Sequence, residues 1–288
     1  AFKRMPMRKA LQAYYPDKYY APERRASSDE SILALSVYGP GDEIRFASIY
    51  NDLDSLLQHS KVSITCDPRL EPLLKRSFPQ HAFVGVPRPR DSEPSDLGHY
   101  SRVKGADLMR LMDNTGSDAL DIHNQVVLIT DLLATARPTL ATFPGTPYLL
   151  VNQSIRSRFA ARLAGSEPLV GISWRSSLTT SSRNEHYLTV DDLDQVFRLS
   201  GIRFINLQYD ECREEIALVE ARHPGRLTHF SDVNHYNDFE SVAALMACLD
   251  LVVSPATTVC ELSGAIGVET LLLSNSSELW WRKTRNDK

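Results

Sequence analysis

Cysteine is scarce in this sequence and scattered: Cys66, Cys212, Cys248 and Cys260 are the only four in 288 residues. None belongs to a C-x-x-C pair and none has histidine at metal-ligand spacing. That argues against a zinc site or a disulfide framework, and for reduced thiols in a cytoplasmic protein. Long apolar runs are missing too. Nothing approaches the ~20 residues that cross a bilayer, so no membrane-spanning segment is expected, and no signal-peptide-like apolar core stands near Ala1. Positive charge is not in excess: the formal net charge is −4. Basic residues are not striped and aromatics are scattered, so a nucleic-acid partner is not expected. No Ser/His/Asp set stands at a recognisable nucleophile elbow. No short repeat or low-complexity tract occurs.

What is present is an ordinary globular composition, 42% hydrophobic and 24% charged, in a chain long enough for one large or two medium domains. Residues 1–30 are basic and Tyr-rich and read as an N-terminal arm. A strand–helix alternation then begins. Ser31–Val37 is a short apolar run ended by Gly39-Pro40-Gly41, and Ile44, Ala47, Tyr50, Leu53 and Leu57 recur at helical spacing. Val62–Cys66 and His81–Val86 read as strands, with Pro68 opening a helix between them. Residues 87–104 form a polar, Pro-rich loop, a length often tied to function. Gln125–Thr130 is another strand, and a helix near Ile155–Leu163 leads to Gly165–Pro168. The alternation restarts there. Strands are expected at Leu169–Trp174, Ile202–Leu207, Arg226–Phe230, Leu251–Ser254 and Thr270–Leu273. Helices are expected at Val190–Leu199, Glu211–Ala221, Phe239–Leu249 and Thr257–Ile266. The expected organisation is α/β: a Rossmann-like domain over 31–166 and a second over 167–288, facing an interdomain cleft. Ligands in such sheets bind outside the carboxyl ends of the strands.

Three stretches can carry chemistry. In Ser254–Gly267, Thr257 and Thr258 fall at a helix start, where unpaired backbone N–H groups favour an anion such as a diphosphate. Glu261 lies one turn on and could take hydroxyl hydrogen bonds; an ordinary Ser/Thr-capped helix fits these residues equally well. In Gly171–Ser177, Arg175 follows a strand and could hold phosphate oxygens bidentately, the alternative being an arginine paired with a carboxylate. Arg183 or His186 could add a second contact from the next loop. In Gly39–Glu43, Asp42 starts a helix and could take a proton from an attacking hydroxyl, although plain capping explains an Asp there as well.

Taken together and in order, Gly39–Ile44, Cys66–Leu70, Arg76–Pro79, Gly171–Arg175, Phe204–Tyr209, Asp238-Phe239, Leu249–Val252 and Ser254–Gly267 resemble the heptosyltransferase-like glycosyltransferases of the GT-B fold. The likeness is greatest to the bacterial branch often fused behind tetratricopeptide repeats; protein O-GlcNAc transferases are more distantly similar. The resemblance implies inverting transfer of a hexosyl or heptosyl group from a nucleotide-diphosphate donor, with no metal and no further cofactor. It implies Asp42 as the general base, with Gly41, Arg175, Arg183, Gln208, Asp238, Thr257, Thr258 and Glu261 on the donor side. The acceptor is left open among protein, glycan and small molecule. Ala256 and Glu261 stand where heptosyltransferases usually carry Asp and His, which sets the donor apart from ADP-heptose. A catalytically degenerate nucleotide-binding or regulatory protein of the same fold is the alternative.

Overall fold

The computed structural model of the chain describes residues 6–21, 29–36, 39–58, 60–87, 114–177 and 187–273. It divides into two compact units, Ala1–Pro144 and Gly145–Lys288. The division falls ahead of the Gly165–Pro168 turn, for a local reason. Backbone N–H groups of Tyr148 and Leu149 both donate to the carbonyl of Ala265. The helix Gln153–Arg162 packs through Phe159 on Phe230, an edge-on ring pair at 5.4 Å, and Arg162 ion-pairs with Asp232 at 2.8 Å.

The first unit carries α1 (Pro6–Tyr14), β1 (Ser31–Leu35), α2 (Pro40–Phe46), α3 (Leu53–Leu56), β2 (Lys61–Cys66), α4 (Glu71–Ser77), β3 (Ala82–Gly85), α5 (Asn114–Ile122), β4 (Gln125–Leu128) and α6 (Ile129–Ala136). Its sheet runs β3-β2-β1-β4 with every pair parallel. Parallel strands are covered on both faces, which is why SILAL and QVVL read as apolar runs without alternation. The helical spacing of 44–57 is realised as α2, a 3-10 turn at Ala47–Asp52 and α3 rather than one helix. Pro68 lies in the turn before α4; Pro72 is the proline of that helix's first turn. Residues 6–21 are not a loose arm. Tyr19 bridges to Val126, Tyr20 N–H donates to the Val126 carbonyl, and Ala10, Leu11 and Tyr20 are buried. Of the loop expected over 87–104, all but Pro87 lies outside the described residues.

The second unit continues with α7 (Gln153–Arg162), β5 (Leu169–Ile172), α8 (Asp194–Phe197), β6 (Arg203–Asn206), α9 (Arg213–Arg222), β7 (Leu227–Thr228), α10 (Phe239–Met246), β8 (Leu251–Pro255), α11 (Thr258–Ile266) and β9 (Thr270–Leu273). The sheet order is β7-β6-β5-β8-β9, again all parallel. Val170, Ile172, Trp174, Phe197, Phe204 and Leu227 form its core. Gly171 is closely packed here: a Cβ would stand 2.5 Å from Leu207 Cδ1 and 2.6 Å from Leu249 Cδ1, so both leucine side chains would have to shift. The helix expected over Val190–Leu199 shortens to α8 after a turn. Both sheets reverse strand order beside their first strand, between β1 and β4 and between β5 and β8. Those switch points are where the strand ends open a crevice for ligand.

Candidate functional site

In the first unit, β1 leads to Gly39, which caps α2 with backbone alone, and Pro40 sets the first helical φ. Gly41 and Asp42 complete the first turn. The Asp42 carboxylate is 35% exposed and pairs with Arg45 one turn on, at 3.2 Å. Asp42 is therefore not the capping residue, and its oxygens reach the surface beside the β1 strand end. Its neighbour Glu43 is fully buried and accepts from the Asp67 backbone N–H at 2.8 Å. Asp67 in turn takes a forked bond from Arg69. The α2 start is thus tied to the end of β2, a link that sequence spacing did not expose.

In the second unit, Arg175 lies where the strand assignment placed it, after β5, but its donors are committed. Nε donates to Asp210 at 2.8 Å, Nη2 to Glu215 Oε2 at 2.6 Å and to the Glu211 carbonyl at 3.1 Å, and Nη1 bonds Glu215 Oε1. The carboxylate pairing foreseen as the alternative is what the structure contains. The Glu215 bond, followed by Asp210, raises the Arg175 pKa above the ordinary arginine value against the cost of burial. Gln208 is 1% exposed and equally occupied. Its Oε1 accepts from Ser173 Oγ, Trp174 N and Arg175 N, and its Nε2 donates to the Arg175 carbonyl and to Asp210. The pair fastens the loop after β5 to the loop after β6. Arg183 and His186 lie outside the described residues.

Across the switch point, β8 ends at Pro255 and Thr257 caps α11 in extended conformation, its own side chain making no bond to the first-turn N–H groups. The Thr257 hydroxyl is turned toward Ser254 Oγ, 3.2 Å away. The backbone N–H groups of Thr258 and Val259 open the helix at this strand end, and the Thr257 hydroxyl does not cap them. Thr258 and Glu261 are half-buried on this turn. A carboxylate there suits hydroxyl donors rather than phosphate oxygens. Asp238 caps α10, accepting from Ser241 N at 2.9 Å.

The structure brings a further group to this edge that sequence spacing did not single out. The loops after β6 and β7 border an open depression of about 190 Å³ lined by Gln208–Arg213, Ile216, His229 and Val233–Tyr236. The Tyr209 and Tyr236 rings lie 6.3 Å apart, and the His229 and His235 rings 5.4 Å apart. Burial, then the neighbouring His229, pushes the His235 pKa down to about 4, with Asp238 opposing; burial also lowers His229. Both imidazoles are neutral at pH 7. A histidine-and-tyrosine loop after a two-residue strand was the available signal, and it is weak without the fold. Among the described residues no three His, Cys, Asp or Glu side chains cluster as metal ligands, and no helix is long and apolar enough to cross a membrane.

No family model matches the chain. Protein FlbA of Caulobacter vibrioides is 28% identical over 255 residues, covering 87% of this chain; the chain spans only 40% of that relative's length. The glycosyl transferase family 9 structure from Veillonella parvula superposes with a TM-score of 0.63 at 13% identity, over 90% of this chain and 86% of that one. The ADP-heptose lipopolysaccharide heptosyltransferase II of E. coli gives a TM-score of 0.53 at 15% identity, over 84% of both chains. With two parallel Rossmann-like sheets and these likenesses, the chain has the GT-B fold of the heptosyltransferase-like glycosyltransferases.

Proposed function

We propose that the chain is a glycosyltransferase that moves a sugar from a nucleoside-diphosphate donor to an acceptor hydroxyl, with inversion and without a metal ion. The observation that carries this reading is the start of α11. The Thr257 side chain does not cap its first turn, and the turn follows β8 beside the switch point between β5 and β8. A helix N-terminus in that position carries partial positive charge and fixed donors for a diphosphate. In the reaction, the acceptor oxygen bonds to the anomeric carbon as the bond from that carbon to the diphosphate oxygen breaks. The leaving diphosphate keeps the electron pair, and Asp42 takes the acceptor's proton. Thr257 and Thr258 hold the diphosphate, and Asp238 and Glu261 receive sugar or ribose hydroxyls. Arg175 and Gln208 hold the facing loop in place. Donors of this kind offset charge that builds in the transition state, each worth ~10²–10³ in rate. The acceptor is a protein, a glycan or a small molecule.

A panel of UDP, GDP, ADP, CDP and dTDP in a thermal-shift assay tests donor binding. One of them at 100 times its Kd should add ~2.7 kcal/mol of stability. Asp42→Asn should then slow sugar transfer ~10²–10⁴-fold while leaving diphosphate affinity unchanged. Equal turnover by the variant would remove Asp42 from the base role. A binding-only protein is favoured by one observation, the commitment of Arg175 to Glu215 and Asp210. On that reading a diphosphate stabilises the chain, but no donor is turned over with any acceptor.

A further inference from the structure

We propose that Glu43 is a positioning residue for the transfer reaction: its buried carboxylate, bonded to the Asp67 backbone N–H, fixes the first turn of α2 and so sets the aim of Asp42. This role rests on Asp42 acting as the base, as proposed above.

Local contacts alone do not orient the start of α2. Gly39 offers no side-chain cap, and a Cβ there would meet nothing within 4 Å. The backbone N–H groups of Asp42 and Glu43 both donate to the Gly39 carbonyl, at 3.0 and 3.1 Å, so the two carboxylates ride on one turn. The Asp42–Arg45 pair stays within α2, and both side chains are partly exposed, where ion pairs are weak. Ile44 and Phe46 supply apolar burial, which has no direction. Glu43 supplies one. Its Oε2 accepts from Asp67 N at 2.8 Å, and the residue is fully buried.

The far end of that bond is itself fixed. Asp67 follows β2, and its side chain accepts from Arg69 N at 3.0 Å, Nε at 2.9 Å and Nη2 at 2.6 Å. Its carbonyl takes the Leu70 N–H at 2.9 Å. β2 pairs in register with β1, and Ser36 N donates to Thr65 Oγ1 at 3.0 Å. Two buried bonds, one before Gly39 and one after, thus tie the chain around Asp42 to the end of β2. A carboxylate is a costly way to fill a buried position, since its charge must be hydrogen-bonded there. It brings what a methionine of similar length lacks, a charge-assisted bond with a set direction. A proton acceptor has to stand within hydrogen-bond reach of the attacking hydroxyl, and a misplacement of about 1 Å can cost ~10²-fold in rate.

The test measures release of nucleoside diphosphate from a panel of UDP-, GDP-, ADP-, CDP- and dTDP-sugars by the full chain, with water as the acceptor whose proton Asp42 takes. Calorimetry gives the Kd of the released diphosphate. Glu43→Met should lower kcat ~10²-fold with KM and diphosphate Kd unchanged. A merely structural role would lower Tm and leave the kcat of the folded protein as it is. Glu43→Gln, whose amide oxygen still accepts from Asp67 N–H, should recover most of the rate. In an Asp42→Asn background Glu43→Met should cost nothing further, because the two residues act as a unit. Should Glu43→Met fail to fold, Glu43→Asp, one methylene short of the Asp67 N–H, takes its place in the same cycle. An undiminished kcat in the folded variant, or equal losses in both backgrounds, would overturn this inference and leave Asp42 as the base. Full turnover by Asp42→Asn alone, or a parent that releases diphosphate from no donor of the panel, would overturn the base role and this inference together.

Discussion

Arg175 and Gln208 lie 33 residues apart and share a bond in which the Gln208 amide donates to the Arg175 carbonyl at 3.0 Å. Around them Trp174 Nε1 donates to Glu215 Oε1 at 3.1 Å, so one carboxylate anchors both an aromatic core residue and the arginine. Removing the guanidinium leaves Glu215 and Asp210 without their cation. Arg175→Met is expected to destabilise the fold by about 1.5–3 kcal/mol in chemical denaturation, the range for hydrogen bonds to charged groups. A phosphate ligand would behave differently, losing nucleotide affinity with stability intact. His235 makes a second prediction. Its pKa falls from 6.5 toward about 4 in the folded state, because burial disfavours the imidazolium. The unfolded chain then binds more protons between those values, so stability is full above pH 6.5 and is lost as pH falls toward 4. His229 adds to the slope in the same sense. Denaturation midpoints measured across that window should fall with acid, and His235→Phe should flatten the slope. An unchanged slope in that variant would show that His235 titrates normally.

At the element scale, α11 is defined at both ends by backbone geometry. It starts without a side-chain cap and stops at Gly267, whose φ of 84° places it in the left-handed region. A Cβ there would also stand 2.3 Å from Pro147 Cγ. Gly267→Ala should therefore cost at least ~1–2 kcal/mol from the backbone alone, read as a lower denaturation midpoint. Because Pro147 leads into the residues that bond Ala265, the same change should speed amide exchange at Tyr148 and Leu149. The β-strands were legible because buried parallel strands are continuous apolar runs; Thr270–Leu273 is found at the bounds its sequence suggested. Helix bounds were less so: Val190–Leu199 became a turn followed by Asp194–Phe197, although Val190, Leu193 and Phe197 are all buried in the core. The site was legible as a set of strand ends. It was not legible as chemistry, since the bonds that occupy Arg175, Gln208 and Glu43 join residues 24 to 40 positions apart and leave no periodic trace.

At the scale of the whole molecule, the described residues form two units, each with its own parallel sheet and core. The strand ends of the second unit hold the α11 start, the Gln208–Arg175 fastening and the histidine–tyrosine pocket, all within Gly145–Lys288. We infer that a nucleoside diphosphate binds along that edge. Hydrogen–deuterium exchange on the chain, with and without the diphosphate that raises its Tm most, tests this directly. Exchange should slow at 173–177, 208–213, 229–238 and 256–261 and change little elsewhere in the second unit. Protection absent from these four segments, or a chain that no nucleoside diphosphate stabilises, would contradict it.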